Sequence, residues 1–288
     1  MARQLRVAAA QTGPVLTRDM SKGVEAACEL VEHAAGQGVE IICFSELFLT
    51  PFFQNRLTPD YESFFLELPT PVTDPLFAVA RDKRVAMIFP YGERSGRAFY
   101  NSALVVDAGG RQLGTYRKTH IPAILPSTLG GGTGSYEKFY FSPGRELSVF
   151  ELGGVTIGIQ ICYDRKFPEG CRALALDGAQ ILFMPICAAT YGETTLRANT
   201  WELPLQARAY ENGVFVVAVN RAGHEDGRQH LGKSMIVNPV GAEIMAMTKG
   251  DGDELLVATL DLDDVDRAQK SLPWWRDRRP DLYGRLVD

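Results

Sequence analysis

One pattern occurs twice in this chain: an amphipathic helical segment, a glycine turn, and then a short run of apolar residues. The apolar runs are Gly38–Ser45 and Gly178–Pro185, and the helix former segment Cys171–Leu176 precedes the second. A continuous apolar run after such a helix is typical of a strand covered on both faces. The repeat therefore predicts an α/β fold with two similar halves. Before the first run, the apolar face of the predicted helix consists of Val24, Ala27, Leu30, Val31 and Ala34.

Further strands are predicted between the two copies and after them. Two halves with these strands suggest two sheets face to face with helices outside. Periodicity alone does not distinguish that arrangement from a doubly wound sheet. The sequence has no Pro/Ser-rich linker, low-complexity tract or charge block, so one domain is expected over residues 1–288. The strands are predicted at Val85–Phe89, Ser102–Asp107, Val155–Ile161, Val214–Val219, Ser234–Asn238 and Leu255–Leu260.

The segment Val155–Glu169 sets a cysteine at the end of a strand. Val and Ile occupy alternate positions up to Ile161, with Thr, Gly and Gln between them, which is the period-two pattern of a strand. Cys162 follows on the polar side of that alternation. Pro168 suits a first helical position, so a helix N-terminus is expected to point back toward the thiol and favour thiolate. The alternative interpretation is an ordinary buried thiol.

Two charged residues also follow predicted strands. Glu46 lies just past the apolar run Val39–Phe44, where it is alternatively a first-turn glutamate after Ser45 as N-cap. Lys118 follows a predicted hairpin over Ser102–Tyr116. Taken alone, a lysine in that position is typical of a solvated strand end. Glu46 and Lys118 gain a catalytic interpretation only when they are considered together with Cys162.

A cysteine, a glutamate and a lysine at three strand ends form a complete set for hydrolysis of an unreactive C–N bond. The Cys162 thiolate attacks a carbonyl or nitrile carbon, and the Lys118 ammonium stabilises the oxyanion. Glu46 moves the proton to the leaving nitrogen and then activates water. Such a mechanism needs no histidine.

The motifs around these residues resemble the three catalytic motifs of the nitrilase superfamily of carbon–nitrogen hydrolases. They are Phe-Ser-Glu46-Leu, Tyr-Arg-Lys118-Thr-His-Ile-Pro and Gln-Ile-Cys162-Tyr-Asp-Arg-Lys-Phe-Pro-Glu, in the family's order. The resemblance implies the four-layer αββα sandwich of that family and a Glu–Lys–Cys triad. Similarity also covers almost the whole chain, including Asn101–Leu104, Glu137–Gly144, Leu176–Leu182, Arg208–Gly213 and Asn220–Arg221.

The resemblance implies further roles beside the triad. Glu137 matches a second glutamate that the family uses to orient the lysine and substrate; without the family, it is a loop carboxylate paired with Lys138. The backbone N–H of Tyr163 is expected to join Lys118 as an oxyanion donor. These residues complete the expected catalytic site.

Arg165 bears on the substrate class. A guanidinium fits a carboxylate with two hydrogen bonds, and a matching arginine holds the substrate carboxylate in the branch that hydrolyses N-carbamoyl amino acids. Lys166 departs from the double arginine of the N-carbamoyl-D-amino acid amidohydrolases, so chirality is not implied. The structural alternative is an ion pair of Arg165 with Asp164 or Glu169.

The leading hypothesis is therefore an amidohydrolase that cleaves the ureido group of an N-carbamoyl amino acid, with release of the amino acid, ammonia and carbon dioxide. An aliphatic amidase or nitrilase is the nearest alternative, because the same triad would serve. A non-catalytic binding module is disfavoured by the intact triad. A papain-like protease is disfavoured because the segment after Cys162 lacks the expected context.

Charge and composition restrict the partners. A net charge of −5 and a pI near 5.5 disfavour nucleic acid and an acidic membrane surface. No apolar run approaches the roughly 20 residues of a membrane span, and the N-terminus lacks a signal-peptide h-region. Five scattered cysteines suit a reducing cytoplasm, and the histidines show no ligand spacing, so no metal or other cofactor is expected. The expected partner is a small-molecule substrate with a carboxylate.

Two further segments carry predictions. Ser271–Pro280 combines two tryptophans with arginines, a composition enriched at interfaces. With the family resemblance, the tail 271–288 is predicted to cross to a neighbour in a homodimer or larger assembly; packing on its own subunit is the alternative. Gly130–Gly134 lacks the Lys-Ser/Thr ending of a phosphate loop and is interpreted as a mobile loop at the pocket mouth.

Overall fold

The structure, a computed structural model, describes residues 3–125, 134–189, 200–271, 274 and 276–286. Within these residues the chain forms two six-stranded sheets, a two-stranded hairpin and surrounding helices. The helices are α1 (Met20–Gly36), α2 (Asp74–Lys83), α3 (Glu137–Tyr140), α4 (Pro168–Leu176), α5 (Glu202–Asn212) and α6 (Asp263–Ser271). The strands are β1 (Gln4–Gln11), β2 (Ile41–Phe44), β3 (Ala86–Ser95), β4 (Ala98–Val106), β5 (Gln112–Arg117), β6 (Val149–Leu152), β7 (Val155–Ile159), β8 (Ile181–Pro185), β9 (Phe215–Val219), β10 (Ala222–Glu225), β11 (Arg228–Leu231), β12 (Met235–Val237), β13 (Ile244–Met247) and β14 (Glu254–Asp261).

The two large sheets follow one plan. The first sheet has the order β14-β1-β2-β3-β4-β5 and the second β13-β12-β9-β8-β7-β6. In each sheet three parallel strands lie at the centre, β1-β2-β3 in the first and β7-β8-β9 in the second. Antiparallel strands complete both edges. Because parallel strands end at the same edge of a sheet, residues that follow β2 and β7 are carried to the ends of the central strands.

The sheets pack face to face over an apolar core. Ile41 and Cys43 of β2 join Ile157 and Ile159 of β7 in that core. Side chains on a strand alternate between faces, so the intervening residues of β2 point outward and pack under α1 and α2. The helices α4 and α5 cover the outer face of the second sheet in the same way. The order of layers is therefore αββα, as expected.

Local predictions around the cysteine are largely confirmed. The helix predicted from Pro168 runs over Pro168–Leu176, with Pro168 at its first position. The strand predicted over Val155–Ile161 ends earlier, at Ile159. The chain turns there because the backbone N–H of Ile161 donates to the Asp164 carboxylate at 3.1 Å instead of to a neighbouring strand.

The tail is described only in part, at Ser271, Trp274 and residues 276–286. The Trp274 indole donates to the carbonyl of Glu211 at 3.1 Å, and its ring lies 5.2 Å from that of Tyr210. This part of the tail therefore packs on α5 of its own chain. Assembly with a second subunit stays a prediction.

No helix among the described residues is both long enough and apolar enough to cross a bilayer.

Candidate active site

Three charged side chains from different elements meet in a buried cluster. Glu46 comes shortly after β2, Lys118 follows β5 directly, and Glu137 is the first residue of α3. The Nζ of Lys118 donates to Oε1 of Glu46 at 2.8 Å and to Oε2 of Glu137 at 2.6 Å. The Lys118 side chain is 0% exposed, and the two glutamates are 2% and 6% exposed. Burial keeps water from competing for these hydrogen bonds, so the cluster has a fixed geometry.

The cluster places one cation between two carboxyl groups. Burial acts to lower the pKa of Lys118, but Glu137 and Glu46 outweigh it and raise that pKa well above its usual value. Burial raises the pKa of Glu137, against the opposing charge of Lys118 and with a further contribution from Glu46. Lys118 therefore stays charged, and Glu137 holds a proton more readily than a free glutamate. The alternative pairing of Glu137 with Lys138 is not found among the described contacts.

Two polar neighbours of the cluster were not recognised as site residues from the sequence. Asn101 Nδ2 donates to Oε1 of Glu46 at 2.7 Å, and the Asn101 carbonyl accepts from the N–H of Lys118 at 2.8 Å. Ser135 Oγ donates to Oε1 of Glu137 at 3.2 Å. Asn101 lies in a segment that carries the family resemblance, but its contact with Glu46 joins distant parts of the chain and leaves no local pattern.

A glycine permits the close approach behind Lys118. The N–H of Gly144 donates to the Lys118 carbonyl at 2.8 Å. A Cβ at position 144 would lie 2.1 Å from the carbonyl oxygen of Arg117, far inside van der Waals contact. Any other residue there would displace the end of β5, and with it the Lys118 side chain.

Cys162 begins a 3-10 helix, Cys162–Lys166, in a left-handed backbone conformation. Its φ is 48°, which costs a non-glycine residue on the order of 1–3 kcal/mol and must be held by its surroundings. The residue as a whole is partly exposed, and Sγ lies 3.7 Å from a guanidinium nitrogen of Arg165. The charges of Glu46 and Lys118 both act on the thiol, so the turn brings it to the buried cluster.

The expectation of a stabilised thiolate is wrong. Burial raises the pKa of Cys162, and Glu46 raises it further, to about 11, against the opposing charges of Lys118 and Arg165. The 3-10 turn separates Cys162 from the start of α4 at Pro168, and the influence of a helix N-terminus falls off within one turn. The thiol is therefore protonated near neutral pH.

Asp164 joins the turn of Cys162 to the segment after Lys118, a role that its sequence position did not suggest. It is fully buried. A buried carboxylate needs several donors, and this one has them on both sides, which fixes the two segments relative to each other. The donors are Tyr116 Oη at 2.8 Å, Thr119 Oγ1 at 3.0 Å, and the backbone N–H groups of His120 at 2.8 Å and Ile161 at 3.1 Å.

Arg165 lies against the cysteine and is 7% exposed. One of its nitrogens donates to the Cys162 carbonyl at 2.6 Å, and its guanidinium lies 5.5 Å from the ring of Trp201. Among the described contacts it forms no ion pair with Asp164 or Glu169, so the structural alternative suggested by the sequence is not observed. The guanidinium of Arg165 therefore lies beside the Cys162 thiol and is not paired with a carboxylate of the same turn.

Tyr163 is the second residue of the same 3-10 helix, and its ring lies edge-on to Phe167 at 5.3 Å. The role of its backbone N–H as an oxyanion donor stays a prediction.

Of the segment Gly130–Gly134, residues 130–133 lie outside the described residues. The carbonyl of Gly134 accepts from Arg228 at 3.0 Å.

Within the described ranges, no group of three or more His, Cys, Asp and Glu residues could hold a metal ion. The five cysteines all lie in these ranges, and each is a free thiol.

Two facing mixed sheets, covered by helices and with this cluster at the strand ends, define the nitrilase type of αββα hydrolase. The chain belongs to the carbon–nitrogen hydrolase family, whose profile matches residues 6–270. It is thus an enzyme that acts on carbon–nitrogen bonds other than peptide bonds.

Individual relatives agree with this classification. The chain is 36% identical over 284 residues to an N-carbamoylputrescine amidase of Arabidopsis thaliana, covering 93% of this chain and 91% of the relative. It is 32% identical over 265 residues to a citrullinase of Francisella tularensis, covering 88% and 89%. A crystal structure of a carbon–nitrogen hydrolase from Helicobacter pylori G27 matches with a TM-score of 0.88 at 28% identity, over 99% of both chains.

Proposed function

We propose that this enzyme is a thiol-dependent amidohydrolase that cleaves the ureido C–N bond of an N-carbamoyl amino acid. The observation that carries the proposal is the buried Lys118, hydrogen-bonded to both Glu46 and Glu137 beside the Cys162 thiol. The substrate class draws on the relatives, since the names N-carbamoylputrescine amidase and citrullinase both denote enzymes of ureido compounds.

In the first half-reaction, Cys162 Sγ forms a bond to the ureido carbon while Glu46 takes the thiol proton. A base is required because the thiol pKa is about 11. Lys118 and the N–H of Tyr163 donate to the developing oxyanion. The C–N bond then breaks, Glu46 returns the proton to the leaving nitrogen, and a thioester remains on the enzyme.

In the second half-reaction, Glu46 takes a proton from water as the water oxygen attacks the thioester carbon. The S–C bond breaks and the cysteine regains a proton. Hydrolysis releases a carbamic acid, which loses carbon dioxide as its remaining C–N bond breaks. Overall, one water converts the ureido compound into the amine, carbon dioxide and ammonia. Glu137 does not exchange protons in this scheme; its hydrogen bond at 2.6 Å keeps Lys118 aimed at the reacting oxygen.

Arg165 supports the choice of an amino acid as the rest of the substrate. Its guanidinium lies within 3.7 Å of Cys162 Sγ, so a carboxylate held by Arg165 would lie close to the reacting carbon. N-Carbamoylputrescine carries an amine in place of a carboxylate, which an arginine beside the thiol would repel. A carboxylate-bearing substrate therefore matches the charge at this position better.

The test is a substrate panel with product analysis. N-Carbamoyl amino acids, citrulline, N-carbamoylputrescine, a simple amide and a nitrile are each incubated with the enzyme, and ammonia and carbon dioxide are measured. We expect both products from ureido compounds, with N-carbamoyl amino acids the fastest. Ammonia with a carboxylic acid, from the amide or nitrile alone, would instead establish the aliphatic amidase or nitrilase alternative.

A further inference from the structure

Arg221 lies fully buried directly behind the segment that carries Glu46. It follows β9 in the pair Asn220–Arg221, which contributes to the family resemblance but has no part in the proposed chemistry. One guanidinium nitrogen, Nη1, is paired with the Glu225 carboxylate at 3.0 and 3.2 Å. Both side chains are 1–2% exposed, so this charge pair is shielded from solvent.

The other nitrogen, Nη2, contacts only backbone carbonyls of the Glu46 segment in the described structure. It lies 2.7 Å from the Leu47 carbonyl, 3.0 Å from that of Thr50 and 3.4 Å from that of Glu46. Leu47 has a φ of 51°, a left-handed conformation that a leucine adopts only when its surroundings enforce it. The backbone carbonyls of this strained turn point toward Arg221, and Nη2 donates hydrogen bonds to them.

Glu225 holds the other end of the same segment. Its carboxylate accepts a hydrogen bond from the N–H of Phe52 and another, at 2.9 Å, from the N–H of Val15. The ion pair therefore spans the turn from Glu46 to Phe52. A rearrangement of either charged partner would release one end of it.

The same turn is also hydrogen-bonded to the end of a strand of the second sheet. The N–H groups of Glu46 and Arg221 both donate to the carbonyl of Ile186, at 3.3 and 3.2 Å. Ile186 directly follows β8. Arg221 is thus the residue through which the end of β9 fixes the Glu46 turn, which belongs to the first sheet.

We propose that Arg221 and Glu225 are positioning residues for Glu46: they hold its backbone so that the carboxylate stays between Lys118 and the Cys162 thiol. This inference rests on the proposed function, in which Glu46 transfers the protons. A misplacement of about 1 Å at a reacting group can cost roughly a hundredfold in rate. The alternative is a purely structural ion pair, whose disruption destabilises the fold because it leaves one charge buried without its partner.

The test compares Arg221→Lys, Arg221→Met and Glu225→Gln by kcat, KM and melting temperature on the substrate preferred by the wild type. Lysine keeps the charge but lacks the two separate nitrogens that join the carboxylate to the carbonyls. Glutamine keeps the shape of Glu225 and an acceptor oxygen, so it is the variant best suited to retain the fold. Leu76→Ala, at a fully buried position in α2 that takes no part in these hydrogen bonds, is the control for lost stability alone.

We expect kcat to fall roughly tenfold to a hundredfold in the Arg221 and Glu225 variants, with KM within about twofold, since binding groups stay in place. Leu76→Ala should melt earlier but keep kcat within about twofold at a temperature well below its transition. A lowered melting temperature with unchanged kcat in Arg221→Lys and Glu225→Gln would overturn the inference. Failure of all three variants to fold would also overturn it, because the pair would then be a folding requirement.

Glu46→Gln, assayed in parallel, separates this inference from the proposed function. If Glu46→Gln retains full activity, the proposed role of Glu46 is wrong. If Glu46→Gln is inactive while the Arg221 and Glu225 variants are fully active, only the positioning role is wrong.

Discussion

The two sheets share one topology but contribute unlike parts of the candidate site. The first sheet supplies Glu46 and Lys118, which are 2% and 0% exposed and are hydrogen-bonded to each other. The second sheet supplies Cys162, which is partly exposed and begins a strained turn. The glutamate and the lysine are thus enclosed and fixed, while the cysteine keeps part of its surface exposed.

Because of this difference, partial exposure of Cys162 does not by itself make its thiol reactive. An accessible thiolate would react with any electrophile, but burial and Glu46 keep the Cys162 thiol protonated, with a pKa of about 11. In the proposed mechanism, the thiol is therefore activated only when Glu46, which follows a strand of the other sheet, accepts its proton. Substitutions in one sheet at a time can test whether the thiol depends on the residue from the other sheet.

The largest effect is expected for the second sheet's contribution. Cys162→Ala and Cys162→Ser should lower kcat by roughly 10⁴-fold or more, because alanine has no nucleophile and a serine hydroxyl is a much weaker one than a thiolate. Fold and substrate binding should be preserved. Steady-state kinetics, circular dichroism and ligand binding would check this, and wild-type-like turnover in either variant contradicts the mechanism.

Cys171→Ala and Cys187→Ala are the matched controls from the same half of the molecule. Both thiols are buried, and burial raises the pKa of each, to about 12 for Cys171. We expect activity to be largely kept apart from a loss of stability.

Glu46→Gln should have opposite effects on turnover and on thiol reactivity. Turnover should fall by roughly 10²–10⁴-fold, since general acid–base catalysis is lost. The pKa of Cys162 should decrease, because burial still raises it but the Glu46 charge no longer does. Thiolate therefore forms at lower pH, and iodoacetamide should label Cys162 faster than in the wild type at the same pH.

The labelling rate is measured by mass spectrometry of the Cys162 peptide between pH 6 and 10. In the wild type it should rise throughout this range without a plateau, because a group with a pKa of about 11 is still mostly protonated at pH 10. A plateau near pH 7 would show a stabilised thiolate and would remove the need for Glu46 as the base in the first step.

Arg165→Gln should produce an intermediate effect that depends on the substrate. Two charge-assisted hydrogen bonds contribute about 1.5–3 kcal/mol each, so kcat/KM for an N-carbamoyl amino acid should fall by roughly a hundredfold or more. A neutral amide should be affected far less, and Arg165→Lys should restore activity only in part. Equal losses on both substrates would reduce Arg165 to a support for the Cys162 carbonyl.

The smallest effect on catalysis is expected from the tail. Deletion of residues 271–288 removes Trp274 from α5, on the outer side of the second sheet. We expect kcat per active site to stay within about twofold, because no described tail residue reaches the cluster. Sedimentation would test the predicted homodimer or larger assembly; a monomer at micromolar concentration, or an unchanged oligomer after deletion, counts against it.

Sequence patterns predicted what is local in this fold. Alternation and Pro168 gave the strand and helix around Cys162, and the repeat of helix, glycine and apolar run indicated two similar halves. The family resemblance supplied the layer order that periodicity left open. It also identified residues that the structure brings together, since Lys118 contacts both Glu46 and Glu137.

What the sequence did not predict depends on contacts between distant segments. The thiol pKa was expected in the wrong direction because the nearby helix was visible in the sequence, whereas burial and Glu46 act through the tertiary structure. Asp164 and Arg221 were overlooked for the same reason. Asp164 bonds Tyr116, Thr119 and His120, and Arg221 bonds carbonyls of the Glu46 turn. These partners lie far away in the chain, and a charged residue by itself carries no signal of such contacts.

The close approach at Gly144 provides a marker for comparing this enzyme with other sequences of its fold. Its N–H bonds the Lys118 carbonyl, and the Arg117 carbonyl leaves no space for a side chain. Where another chain keeps the lysine but has a bulkier residue in place of this glycine, the lysine should point differently. Inspection of this one position would then separate hydrolases from relatives that have kept the fold but lost the chemistry.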